Sequence, residues 1–502
     1  MLKWIWVFFL LASCSKKPDS SSAFRISFNS HPATLNPQEV GDFSSSTLIC
    51  MLYEGLTRCG CEGSIDLGLA EKVVISEDRR IYTFTLREAY WSDGSPITAF
   101  DFERSWKAAF RPVGPNAYLF YPIQNAERCA QGECTVDQLG IRAIGERIFQ
   151  VELQQPTPYF YSLTAFPSFM VYKEAGIFSG PFCIEKIRQN NEITLIKNGK
   201  FWNRDRIGME KIQIQILPDE ITALQLFEKG ELDWLGGSFS PLPLDAMEKL
   251  KGQITFIPSA ATTFCTFNTE KAPFNNLHLR RAFSYAINRD EIVEEILQGG
   301  QIPAESLLPP SLSRQSQPLT HFEKAKAEFE KAEKELGEIG PLVLYFKGTE
   351  VERRLAQILQ HQWQQILGIK VELVQLDFKT HAQKLQDRDY QISLASWIAQ
   401  FNDPISILER FKDRKHLKNY PGWENPQFTQ LLTEAANSEQ RLDLYTQAEA
   451  LMAEQLPISP IYHWSVPALC NPRVGHIITT PCGGILFDRV QMTPCKKILN
   501  IP

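Results

Sequence analysis

The stretch from Leu342 to Leu376 restricts the fold more than any other. Leu342-Val343-Leu344-Tyr345-Phe346 is an apolar run of strand length, a helical pattern follows from about Glu350 to Leu367, Gly368 closes it, and Ile369 to Leu376 forms a second run. Two strands joined by a helix of that length pair in parallel, since no hairpin connects them. Such a unit needs helices layered on a sheet, so the chain predicts a mixed α/β architecture. The same rhythm recurs nearby. Asp219 to Lys229 reads as a helix stopped at Gly230 and followed by the strand Glu231 to Leu235. Asn288, with Glu291 three residues on, caps a helix that carries Ile292, Val293, Ile296 and Leu297 on one stripe and ends at Gly299-Gly300. Lys324 to Leu336 reads as a charged, solvated surface helix.

The first third of the chain has a different texture. Tyr82, Phe84 and Leu86 alternate with Thr83, Thr85 and Arg87, the pattern of a half-buried strand, and Ser76 to Arg79 is a polar turn linking it back to Lys72 to Ile75. Ile144 to Arg147 and Gln189 to Asn191 mark further hairpins. After the turn Trp91 to Pro96, Thr98 and Asp101 cap a helix that runs to about Phe110. At 502 residues the chain exceeds what one core supports, so two or three domains are expected.

The amino-terminal segment has its own chemistry. Lys3, the apolar run Trp4 to Leu11 and the small residues after it describe a secretory signal, too short to span a bilayer. Leu11-Ala12-Ser13-Cys14 resembles the bacterial lipobox, which implies cleavage before Cys14, a lipid on its sulfur and a membrane-tethered protein. Ser15 to Ser22 is a polar tether, so folding begins near Phe24. The other ten cysteines then lie in an oxidising compartment, where Cys129 with Cys134 and Cys482 with Cys495 are plausible local pairs. Cys59-Gly60-Cys61 lacks the further ligands a zinc site requires and reads as structural. Hydrophobic residues at 43% and charged residues at 22% exclude wholesale disorder and a polytopic membrane protein. A net charge of −6 argues against a nucleic-acid partner.

Several segments together resemble the bacterial extracellular solute-binding proteins of family 5, the oligopeptide- and dipeptide-binding lipoproteins of ABC importers. They are Leu35-Asn36-Pro37 with Leu52 to Leu56, Gly68 to Glu71, Tyr82 to Arg87 with Trp91 to Phe102, Phe267-Asn268 with Pro273 to Asn275, Arg280 to Phe283 with Ala286 to Arg289, and Trp397 with Asn402-Asp403-Pro404. The resemblance covers the chain from about residue 24 to 495. It implies a two-lobe periplasmic-binding-protein-like fold with a hinge and an inserted third domain. The expected division is a signal peptide over 1–13, a lipidated tether over 14–23, lobe I from 24–42, 168–264 and 466–495, an inserted hairpin-rich subdomain over 43–167, and lobe II over 265–465. It further implies a monomer that encloses a peptide between its lobes as an added strand and presents the closed form to permease subunits, without a cofactor or a catalytic step.

On that pattern the ligand meets main-chain groups of Ser396, Ile398, Thr263 and Phe264, with Gly236-Gly237 opposite in the other lobe. Trp397 is a cleft wall or a core tryptophan. Asp403 and Asn402 lie at the turn, where Asp403 also suits a helix cap ahead of Ile405, Leu408 and Phe411. Gln400 departs from the pattern. Many oligopeptide binders that this chain resembles carry an aspartate there to pair with a peptide's ammonium group; a neutral amide suits a blocked terminus, as in cell-wall peptides. Leu394, near where some relatives carry an arginine for peptide carboxylates, points the same way. Alternatives are another solute, such as a nickel chelate or haem, a peptide-hydrolysing enzyme, or a structural surface lipoprotein. The eight scattered histidines and the lack of Gly-x-Ser-x-Gly, His-Glu-x-x-His or P-loop motifs give the metal and enzyme readings little support.

Overall fold

Two strands of thirteen residues, Thr255–Phe267 and Ile458–Cys470, run antiparallel through the centre of the molecule. The computed structural model describes residues 23–237, 239–243, 246–313, 319–480 and 484–492. The expected signal segment, the lipidated Cys14 and the Cys482–Cys495 pair therefore lie outside the described residues.

The two long strands organise a seven-stranded sheet. In order across it lie Trp234–Gly236, Ile458–Cys470, Thr255–Phe267, Ile392–Ile398, Leu342–Lys347 and Val371–Leu376, with Ile302–Pro303 also pairing Ile458–Cys470. The ladder between the long strands is not continuous. Pro258 pairs with Ser465 and Thr262 with His463, so residues 259–261 face Trp464 alone, and a second shift follows between Thr263 and Phe264. Such bulges bend a strand pair and separate two stretches of regular sheet. On one side the long strands pair with Trp234–Gly236, and on the other with Ile392–Ile398. The boundary expected at 264/265 falls inside the ladder from Ala261–Ile398 to Phe267–Ile392, whereas the break lies at 258–262.

The unit that opened the sequence reading folds as expected. Leu342–Lys347 and Val371–Leu376 are parallel, joined by the helix Glu350–Leu367, which Thr349 caps at its start and Gly368 closes in the left-handed conformation. Leu355, Leu359 and Trp363 fill the layer beneath it. The helix Phe322–Leu336 buries only Ala325 and Ala332, as its charged pattern requires. After Asn288 the chain turns helical, but Ile292–Leu297 widens into a π-helix, which moves Ile296 off the fully buried stripe.

A four-stranded sheet, ordered Ala23–Phe28, Lys211–Ile216, Glu192–Lys197 and Phe182–Arg188, forms a second core with Phe24, Ile26 and Phe28. The helix Phe43–Leu52 packs into this core through Leu48, Ile49 and Leu52. The packing places Leu48, Ile49, Met51 and Leu52 of the first helix against this sheet, while the core of the expected inserted unit takes residues from Leu56 onward. The inserted unit has its own sheet, Ala70–Ile75, Ile81–Leu86, Ile148–Glu152 and Ile141–Ala143, with Tyr82, Phe84 and Leu86 inward. Cys129 and Cys134 are joined by a disulfide within it. Cys59 and Cys61 are free, and no metal-binding cluster occurs among the described residues.

Candidate functional site

The strand Ile392–Ile398 pairs along its whole length with Ala261–Phe267. Its other side is covered only at the start, where Ile392 meets Leu344 and Ser393 meets Tyr345. From Leu394 to Ile398 that outer side carries no further strand partner among the described residues. A strand edge of this kind offers main-chain donors and acceptors to an extended chain. Strand-forming residues place it there, and the divergence of Leu342–Lys347 leaves it open.

The residues singled out from sequence fall into three groups. Thr263 and Ser396 stand opposite each other in the ladder and share a hydrogen bond of 2.9 Å between their hydroxyl groups, while Trp464 Nε1 donates to Thr263 Oγ1 at 2.8 Å. Phe264 is fully buried beside Trp397, with ring centroids 5.9 Å apart, and Ile398 is half-buried. Gly236 and Gly237 lie away from this group, at the far edge of the sheet. Gly236 pairs with Ala468 so closely that a Cβ on it would sit 2.6 Å from the Cβ of Ala468. Both glycines are buried and have positive φ, which makes a turn and a close approach their physical role.

The turn after the strand holds the remaining residues. Gln400 donates its backbone N–H to Ser406 Oγ at 2.8 Å, and its side-chain amide donates to the Tyr118 hydroxyl of the inserted unit. The Phe401 ring stacks on Tyr159, centroids 5.0 Å apart and nearly parallel, and Asn402 Nδ2 donates to Gly63 O at 3.4 Å. Three consecutive side chains therefore dock on the inserted unit. Asp403 turns inward: it is 3% exposed, accepts the Ile405 N–H at 3.1 Å and pairs with Arg441 at 2.6 Å. Burial raises its pKa, and Arg441 offsets part of that rise. The carboxylate is thus committed to starting the helix Ile405–Leu408 and to holding Arg441.

Trp397 is 6% exposed and lies at the centre of a stack that sequence did not reveal. Tyr420 stacks on it at 4.9 Å between centroids, and the Arg410 guanidinium sits over its ring at 4.0 Å. Burial lowers the Arg410 pKa to about 10 and raises that of Tyr420. His416 and Lys418 are also pushed down, first by burial and then by the charge of Arg410. In the sequence Ile405-Ser406-Ile407-Leu408-Glu409-Arg410-Phe411, nothing but the surrounding fold distinguishes Arg410 from a surface cation. Tyr118 and Tyr159 are equally silent, being more than two hundred residues from their partners.

This geometry has counterparts. The description "Bacterial extracellular solute-binding proteins, family 5 Middle" matches residues 64–419. The oligopeptide-binding protein OppA of Bacillus subtilis is 32% identical, over 94% of this chain and 93% of its own length. Among solved structures, the unliganded open form of the periplasmic murein tripeptide-binding protein MppA superposes with a TM-score of 0.82 at 26% identity, covering 94% of this chain and 97% of its own. Listeria monocytogenes OppA bound to peptide gives a TM-score of 0.75 at 25% identity, covering 94% and 99%. The chain belongs to the bacterial extracellular solute-binding proteins of family 5, and its fold is theirs.

Proposed function

We propose that the chain is the solute-capturing subunit of an ABC importer for peptides, and that the peptide lies as an added strand on the outer edge of Leu394 to Ile398. The observation that carries this reading is that no strand pairs with the outer side of Leu394 to Ile398 among the described residues, beside a turn that reaches the inserted unit. The relatives named for oligopeptides and the peptide-bound likeness support it. Ser396 and Ile398 supply main-chain groups, Trp397 and Phe264 form the apolar wall behind them, and Gln400 and Asn402 supply neutral polar groups at the turn. Thr263 positions Ser396, and Gly236 and Gly237 lie across the hinge strands in the other lobe. Main-chain pairing makes affinity tolerant of peptide sequence. Capture is a shift from open to closed lobes, and the closed form is what permease subunits receive. The lipid on Cys14 keeps a monomeric chain at the membrane, on its outer face.

Gln400 sharpens the ligand class. It stands where the resemblance implies a carboxylate, and its amide meets the Tyr118 hydroxyl instead of a charge. A buried ammonium left without a partner costs roughly 3–5 kcal/mol. The site accordingly favours peptides without an ordinary free amino terminus, such as cell-wall fragments. A panel of N-acetylated and free tripeptides in a thermal-shift assay tests this, because a ligand of the native state raises the midpoint. We expect larger shifts with the acetylated series; equal shifts remove the selectivity, and a co-purifying solute identified by mass spectrometry as non-peptidic removes the peptide reading.

A further inference from the structure

Arg410 is a cation without a counter-charge. It lies in the last turn of the short helical segment Ile405 to Phe411, half-buried, and among the described residues its guanidinium has neither an ion pair nor a hydrogen-bond acceptor. Nη1 is closed off from solvent with nothing to donate to. The neighbouring carboxylates are engaged elsewhere, Glu409 with Lys412 at 3.8 Å and Asp403 with Arg441. The groups around Arg410 are the Trp397 ring, the hydroxyls of Tyr118 and Tyr420, the imidazole of His416, which burial and Arg410 hold towards its neutral form, and the further cation Lys418.

Trp397 adds a second, independent sign. Its Nε1–H is buried and unpartnered, in a side chain whose ring carries the guanidinium. Most buried donors in folded proteins have acceptors, so two orphaned donors in one stack call for an explanation. Both are donors; a water-sized or larger acceptor completes them, whereas an ammonium group does not. The stack adjoins Gln400, whose amide spans to Tyr118 at the junction with the inserted unit, so the group that completes it belongs to whatever enters there. A planar guanidinium fixed on an aromatic face is preorganised for a planar, two-oxygen partner.

We propose that Arg410 and Trp397 form a subsite for a carboxylate of the bound solute, at the end of the open strand edge marked by Gln400 and Tyr118. The subsite deepens the peptide reading and rests on it for the choice of peptide probes. The carboxylate arrives either on a substituted amino terminus or as a free carboxyl terminus, and the two sources are separable.

The test uses the whole chain and three peptides of one sequence. N-succinyl-trialanine amide carries a carboxylate at the amino end, N-acetyl-trialanine carries one at the carboxyl end, and N-acetyl-trialanine amide carries none. In wild type we expect one of the two acids to bind roughly 10- to 100-fold more tightly than the blocked peptide, the range of a charge-assisted hydrogen bond. R410M keeps an unbranched stem against Trp397 without the charge, and there the ratio of acid to blocked peptide falls towards one; R410K retains part of it. Succinate alone, titrated at constant ionic strength, raises the wild-type thermal midpoint and leaves that of R410M unmoved. Equal binding of all three peptides by wild type, or a ratio that survives in R410M, overturns the subsite while leaving peptide capture intact. If no peptide binds but succinate still distinguishes wild type from R410M, the subsite stands and the peptide reading falls; if succinate also fails to distinguish them, both fall.

Discussion

At the scale of single residues, environment decides what each polar side chain can do. Asp403 and Gln400 are three positions apart, yet one is sealed beneath a turn with Arg441 and the other reaches a tyrosine across a domain junction. The sequence foretold the capping role of Asp403 because Asp-Pro ahead of an apolar run is a local signal. It could not foretell Arg441 as its partner or Arg410 as an orphan, since both follow from how distant segments meet. Two buried histidines carry a prediction of the same kind. His463 Nδ1 lies 2.9 Å from Thr262 Oγ1, whose hydroxyl donates to Leu307 O, and His381 Nε2 lies 2.9 Å from Ser393 Oγ. Burial lowers both pKa values from 6.5 to about 4. The unfolded chain therefore binds the extra protons: stability is complete above pH 6.5 and declines as pH falls through about 4, by up to about 3 kcal/mol for each histidine. Urea unfolding between pH 7 and pH 4 should show this loss, and H463N should remove close to one proton from its slope; an unchanged slope contradicts a neutral buried His463.

At the scale of elements, periodicity was legible and pairing was not. The alternation of Ile81 to Leu86 and the helix Glu350–Leu367 with its Gly368 cap appear where the pattern places them. The pattern says nothing of which strand neighbours which, so the open side of Leu394 to Ile398 emerged only from the sheet order. The bulge at 259–261 was equally hidden, because the extra residues become apparent only against Trp464 on the partner strand. The neighbouring strand Trp234–Gly236 gives a test of close packing. In G236A the new Cβ meets Ala468 at 2.6 Å on a backbone with φ of 152°, so the variant should lose about 1–3 kcal/mol in denaturant unfolding. Full stability would mean that this edge strand yields freely.

At the scale of the whole molecule, four apolar cores meet along the two long strands. The core of the inserted unit is contiguous with residues 395–458, through Tyr159 against Phe401, while the sheet that opens the chain has a core of its own. Family membership was legible because short motifs recur in order over most of the chain; which core the helix Phe43–Leu52 joins was not, because the sheet that Leu48, Ile49, Met51 and Leu52 pack on comes from distant segments. The proposed peptide joins these scales, as an extended ligand that would add to the sheet at the unpaired side of Leu394 to Ile398. Amide hydrogen exchange measured with and without a saturating N-acetylated tripeptide tests it most directly. Exchange within Leu394 to Ile398 should slow when the peptide is present, and stabilisation of the protein with no added protection in that strand would contradict an added ligand strand.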